Sequence, residues 1–282
     1  MAAYRFCRTD DVALLVDALN RCWAPYRPDE PPVTAALFKR SIRDLQVWCS
    51  SCMVAFAGAD PIGVLIGAKR PSGTLVHRIA VQPDHRRQEH GRHLLASLGS
   101  KLAILGPPKI VAEVPETLAA ACGLFSASGY VQEARLTDYV LDGRAATDAG
   151  ADGGGFVIPV TVDDLAANGL LGQADPETCW ERSVETISAR KADIAGLAVA
   201  SDERIEAHVL YLGDGSIVSL RSCVEDGGAR LSRLLSRVRA LGLETLRFSK
   251  VHPAEIPAGL LESIGFRAAG GHRRYAATAR SA

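Results

Sequence analysis

Apolar positions along the chain follow two rhythms, and the switches between them predict the elements. Tyr4 to Phe6 alternates like a short strand. Thr9, Asp10 and Asp11 form a helix-capping stretch before VALLVDALNRCW, whose apolar residues recur at helical spacing. Pro25 to Pro32, PYRPDEPP, is loop, because proline interrupts ladder and helix alike, and a second helix is expected from Thr34 to Leu45. Met53 to Ala57 and Ile62 to Ala68 read as a hairpin, and Leu75 to Val81 as a further strand. After a polar loop, Leu94, Leu95, Leu98, Leu102 and Leu105 fall on one face of a helix. A strand at Lys109 to Val114, a helix at Leu118 to Ala127 and the end of a strand at Tyr139 to Leu141 follow.

The order then repeats. ATDAGADGGG, Ala146 to Gly155, is too polar and glycine-rich to bury a core and reads as a linker. Beyond it come three short strands with turns at Ser201 to Glu203 and Gly213 to Gly215. A helix carrying Leu231, Leu234, Leu235, Val238 and Leu241 on one face follows, then a strand at Thr245 to Phe248. GLFSASGY at Gly123 to Tyr130 is echoed by GLLESIGF at Gly259 to Phe266. The expectation is a duplicated α/β (α+β) chain with domains at 1–145 and 156–282 joined by 146–155, since 282 residues exceed the usual reach of one core.

Composition narrows the partners. Thirty-two basic and 32 acidic residues cancel, which argues against a nucleic-acid or polybasic membrane surface. No apolar run is long enough for a membrane helix and MAAYRFCRTDD has no signal-peptide core, so a cytoplasmic protein is expected. Seven cysteines, an odd number, fit reduced thiols better than a disulfide framework. Trp48-Cys49-Ser50-Ser51-Cys52 has the spacing of a thiol-disulfide site, a reading that requires an accessible thiol of low pKa.

The stretch VQPDHRRQEHGRHLL, Val81 to Leu95, carries the candidate chemistry. A strand that runs through a loop into a helix directs unpaired amides and the positive end of the helix dipole at one point, where an anion is held. Arg86, Arg87 and Arg92 add charge. The alternative is a surface helix that begins with solvated charges.

Val81, Pro83, Arg86, Gly91, Leu94 and Leu95 match V-x-P-x-x-R-x-x-G-x-G/A-x-x-L-L, and with the element order the first half resembles the GNAT superfamily of acetyl-CoA-dependent N-acyltransferases. The resemblance covers nearly all of 4 to 142, and the second half is similar to a divergent copy. It implies two tandem GNAT-like domains, each a twisted mixed β-sheet flanked by helices, and transfer of an acetyl group to a primary amine on a small molecule or peptide. Pantetheine would pair with the backbone of Ile79, Ala80 and Val81 in a split after that strand. The pyrophosphate would lie on the amides of Arg87, Gln88, Glu89, His90, Gly91 and Arg92, with Arg86 beside it. Glu113 and His77 are the candidate bases, against plain readings as a solvent-facing carboxylate and a histidine on a half-exposed strand. The tyrosine usual in the family falls on Phe125, and Leu261 in the second copy. Tyr130 is then a candidate acid, with a core-edge aromatic as its plain reading, as for Tyr139.

Glu89 stands where the family's first glycine is expected. Its carboxylate would either repel a pyrophosphate or turn outward to Arg86 or Arg92, and a positive φ would strain it. CVEDGGARLSRLL, Cys223 to Leu235, is the corresponding loop of the second copy, with Glu225 and Asp226 at its mouth, and is expected to be the poorer cofactor site. The departures keep a second class open, a catalytically silent acyl-CoA-binding or regulatory module, and a homodimer is compatible with both.

Overall fold

The computed structural model describes residues 2–28, 30–143, 155–171 and 178–280. The chain divides into two compact units, Met1–Ala134 with Arg273–Ala282, and Arg135–His272. This differs from a head-to-tail division at 146–155. Two long strands, β6 (Val131–Leu141) and β12 (Arg267–Thr278), each contribute one end to either unit. Periodicity marks a strand but not which sheet its two ends join. Residues 146–154 of the expected linker lie outside the described residues.

The first unit begins with β1 (Ala2–Phe6), α1 (Val12–Trp23), α2 (Ala35–Leu45), β2 (Met53–Ala57), β3 (Asp60–Arg70) and β4 (Gly73–Val81). It continues with α3 (His90–Leu105), β5 (Lys109–Pro115), α4 (Ala119–Ala127) and the start of β6. Strands β1 to β4 are antiparallel neighbours, β5 lies parallel to β4, and the end of β12 lies beside β5, making a mixed sheet. The Ala279 amide donates to the Pro108 carbonyl there. Thr34 caps α2 through its side chain. Asp11 does not cap α1 that way; its carboxylate is taken by the Arg5 guanidinium at 2.7 Å and the Arg8 amide, which hold it well below the usual carboxylate range.

Leu94, Leu95, Leu98 and Leu102 of α3 pack with Val76, Ile110, Phe125 and Tyr275 in one core, each leucine contributing about 1.5–3 kcal/mol by burial. Leu105, expected on that face, is 67% exposed because the helix ends at it.

The second unit contains β7 (Phe156–Pro159), α5 (Val162–Ala167), α6 (Val184–Ala189), β8 (Ile194–Ala200), β9 (Ile205–Leu212) and β10 (Ile217–Ser222). Then come α7 (Ala229–Ala240), β11 (Leu246–Val251), α8 (Ala258–Ser263) and the start of β12. An antiparallel sheet runs β10-β9-β8-β7, and β11 pairs with the end of β6 through Phe248 and Tyr139. Leu231, Leu234, Leu235 and Val238 of α7 are buried as the pattern requires, whereas Leu241 lies just past the helix and is exposed. Arg182 is buried against Phe248 and is held by Glu255 and the carbonyls of Ser249 and Lys250, which supply the partners a buried guanidinium needs.

His208 sits wholly inside this unit, its Nε2 3.1 Å from Ser219 Oγ. Burial, helped by the nearby Arg221 charge, lowers the imidazole from its ordinary value to about 4. The unfolded chain therefore binds a proton between pH 6.5 and about 4 that the folded unit refuses. Stability is full above the unfolded value and falls as pH drops through that window. Thermal unfolding followed from pH 7 to 4.5 is expected to show a smaller loss in His208→Asn than in the parent chain. Equal losses would show that another group sets the acid sensitivity.

Candidate functional site

Strands β4 and β5 pair through Thr74 with Ile110 and Leu75 with Val111, then part. A cleft of about 440 Å³ opens beyond this point, walled by the rest of β4, the end of β5, α4 and the start of α3. The split thus begins inside β4, earlier than expected. The cause is local. Ile66 of β3 faces Arg78 and Gly67 faces Val76, so His77 is an extra residue, a β-bulge that bends the strand. Gly67 is required opposite it, because a Cβ there would come within 2.5 Å of the Ser51 carbonyl oxygen.

Register determines which backbone groups face the cleft. The Gln82 amide donates to the Ile62 carbonyl at 2.9 Å, so Gly63 and Val81 form a pair without mutual hydrogen bonds. Ala80 then exchanges its bonds with Val64 of β3, while Ile79 and Val81 turn N–H and C=O toward the cleft. Of the three residues expected to pair with pantetheine, Ala80 is committed to the sheet. Part of Val81 is used as well, since the Tyr26 hydroxyl donates to its carbonyl at 2.5 Å.

The loop that follows makes a single tight turn at Pro83–His85 and then passes through two left-handed residues, Arg87 at φ 61° and Glu89 at φ 62°. Glu89 precedes α3 directly and makes no side-chain cap. The first α-helical bond runs from His93 to Glu89, which leaves the amides of His90, Gly91 and Arg92 without an intrahelical acceptor. The Glu89 carboxylate pairs with the Arg92 guanidinium at 2.8 Å. Glu89 therefore has its charge offset by Arg92 and bears the strain of a left-handed residue with a Cβ, about 1–2 kcal/mol.

The remaining loop side chains divide. Arg86, Arg87, Glu89, His90, Gly91 and Arg92 all line the cleft, whereas Gln88 does not and instead reaches the Asp84 carbonyl. Arg86 is held by Tyr26, with its Nε donating to the phenol oxygen at 2.7 Å and its guanidinium 4.3 Å from the ring centre. The His90 Nδ1 lies 2.6 Å from Tyr4 Oη, and burial followed by the neighbouring His85 and His93 lowers its pKa. A Cβ on Gly91 would lie 3.0 Å from the Leu124 side chain, so glycine lets α3 and α4 approach.

Both candidate bases line the cleft. His77 is two residues past Leu75 and Glu113 two past Val111, so each follows closely on the last pair of the parting strands. Tyr130 does not reach the cleft. It is buried edge-on against Phe125 with ring centres 5.1 Å apart, and burial pushes its phenol up. Phe125 lines the cleft and stacks at 5.7 Å on Tyr275, a residue of β12. Trp23 and Tyr26 also line it and escaped the sequence reading; the only signal was a pair of aromatics bracketing Pro25 before a proline-rich loop.

In the second unit, the residue before α7 is also left-handed, but it is Gly228, at φ 88°. Asp226 fills that helix start, accepting from the amides of Gly228 and Arg230 at 3.0 Å each. Arg230 completes the closure by bonding Asp226 and Glu206. The thiol-disulfide reading also fails on geometry. Cys49 and Cys52 are buried around a one-turn helix ahead of β2, and burial raises both thiols. Among the described residues no group of three or more His, Cys, Asp or Glu could hold a metal ion, and no helix is long and apolar enough to cross a membrane.

The family model described as Acetyltransferase (GNAT) family matches residues 13–130. No curated protein sequence matches the chain. Among solved structures, a tandem GNAT protein from the clavulanic acid biosynthesis pathway is 14% identical, with a TM-score of 0.68 and 100% of both chains covered. A GCN5-related N-acetyltransferase from Sphaerobacter thermophilus gives 0.70 at 14% identity, over 99% of this chain and 96% of that one. One from Anabaena variabilis gives 0.61 at 10%, over 99% and 73%. These identities establish a shared fold.

Glu89→Gly removes the left-handed strain and is expected to raise stability by about 1 kcal/mol, after the exposed Arg92 pair and the added freedom of the unfolded chain are offset. Urea unfolding should show the midpoint rising with an unchanged slope. Glu89→Ala keeps a Cβ and should give no such gain.

Proposed function

Because residues 13–130 match the model of the Acetyltransferase (GNAT) family, we propose that the chain is an acetyl-CoA-dependent N-acetyltransferase whose first unit holds the cofactor. One observation carries the reading. The cleft-facing backbone of Ile79 and Val81 leads directly into the uncapped amides of His90, Gly91 and Arg92 within a single cleft. An extended amide-bearing chain ending in a pyrophosphate fits such a surface, the chain against the strand edge and the phosphates on the amides, with Arg86 close by. The second unit is the poorer host, since Asp226 already serves its helix start.

In the transfer, the lone pair of a neutral primary amine attacks the thioester carbonyl carbon. A C–N bond forms, the C–S bond breaks, and sulfur leaves with the bonding pair. Overall one proton passes from nitrogen to the released thiol. Glu113 and His77 are the groups proposed to take the amine proton, since both line the cleft close to where the split begins. Phe125 has no proton to give the thiolate and Tyr130 is walled off behind it, which favours delivery through the solvent-facing side of the cleft. The same observation supports the second reading, a silent module that binds acyl-CoA without transfer.

Calorimetry with acetyl-CoA, followed by thiol release over an amine panel, separates the two. Binding with turnover is expected; binding without turnover over a broad panel would favour the silent module, and no binding would remove both. Arg86→Ala and Gly91→Leu should each weaken acetyl-CoA binding about tenfold, whereas Gly227→Ala in the second unit should leave it unchanged. The reverse order would assign the cofactor to the other unit.

A further inference from the structure

A second cavity of about 320 Å³ adjoins the cleft and shares His77 and Arg78 with it. Most of its wall is apolar: Leu19 of α1, Val33 just ahead of α2, Leu37 and Phe38 of α2, and Ile66 of β3. Its polar groups are engaged locally. Ser41 Oγ donates to the Phe38 carbonyl at 2.7 Å. Glu30 accepts from Trp23 Nε1 at 2.9 Å and pairs with Arg27 at 2.9 Å and Arg78 at 3.8 Å. The Arg78 guanidinium also lies 5.1 Å from the centre of the Trp23 ring.

Two guanidiniums around one carboxylate disfavour a ligand with several ammonium groups. A polyhydroxylated ligand would bring most of its hydroxyls to apolar walls, with Glu30 and Ser41 already paired within the protein. The volume is that of a small-molecule site. We infer that this cavity receives the body of the acceptor, a primary amine on a compact apolar group, either branched aliphatic or a single aromatic ring. The inference rests on the acetyl-transfer reading. An amine seated here ends at His77, where β4 parts from β5 and the cleft begins. Its nitrogen is then delivered to the thioester at the origin of the split, for the exchange of C–S for C–N described above.

The test compares kcat/KM for phenethylamine and isoamylamine with that for spermidine, glucosamine and lysine, by thiol release. The two apolar amines should lead by at least about tenfold, the discrimination an apolar pocket gives for a methylene or two. Leu37 is 47% exposed, so Leu37→Asp leaves the core intact. It should raise the KM for phenethylamine about tenfold while acetyl-CoA affinity, measured by calorimetry, stays within about twofold. Preference for the polyamine or the aminosugar overturns the inference, as does an unchanged KM in Leu37→Asp. Acetyl-CoA binding without turnover of either apolar amine overturns the inference alone. Absence of acetyl-CoA binding overturns the acetyl-transfer reading and the inference with it.

Discussion

The parting of β4 from β5 is the constraint on which the first unit's site depends. Two parallel strands that stayed paired would bury their facing amides in each other and leave nothing for a ligand. The pairing ends after Leu75, beside the bulge at His77, and Gly67 opposite that bulge leaves room for the Ser51 carbonyl. The released backbone of Ile79 and Val81 forms one wall, and the end of β5 swings away to form the other. A strand edge exposed inside a protein is an open hydrogen-bonding template. Here it lines a cleft, a setting in which such a template serves recognition.

Two helix starts show how the same geometry takes opposite chemical forms. Each of α3 and α7 is preceded by a left-handed residue, and a glycine satisfies that requirement before α7. Before α3 it is met by Glu89 under strain, with its carboxylate paired to Arg92. Local rules are broken most readily where a site gains from it. The amides of α3 have no side-chain cap, whereas the Asp226 carboxylate accepts from the Gly228 and Arg230 amides at the start of α7. An uncapped helix start costs its own unit stability and is suited to an external anion; a capped one stabilises its unit and has no need of one.

The aromatic groups around the cleft follow a related division. Phe125 lines it, with Tyr130 and Tyr275 behind, so the phenols nearest the wall are shielded from it and hardened against ionisation in the case of Tyr130. Tyr26 is different: it reaches both the Val81 carbonyl and Arg86, joining the segment after α1 to the strand edge and the cationic loop. A side chain so far away in sequence thereby orients the arginine that the loop itself supplies.

The sequence by itself determined the succession of elements, the duplication and the loop. Each rests on local physics: the period of α3 and α7, proline at Pro25 to Pro32, glycine at the turns, and a strand feeding a helix start. It also posed the question of Glu89, which takes a left-handed φ and pairs with Arg92. Only the tertiary structure decided which ends of β6 and β12 complete each unit, that Ala80 belongs to the β3 ladder, that Tyr130 is behind Phe125, and that Trp23 and Tyr26 face the cleft. These depend on register and on contacts between residues remote in the chain. A local pattern fixes which faces a segment presents, but not what meets them.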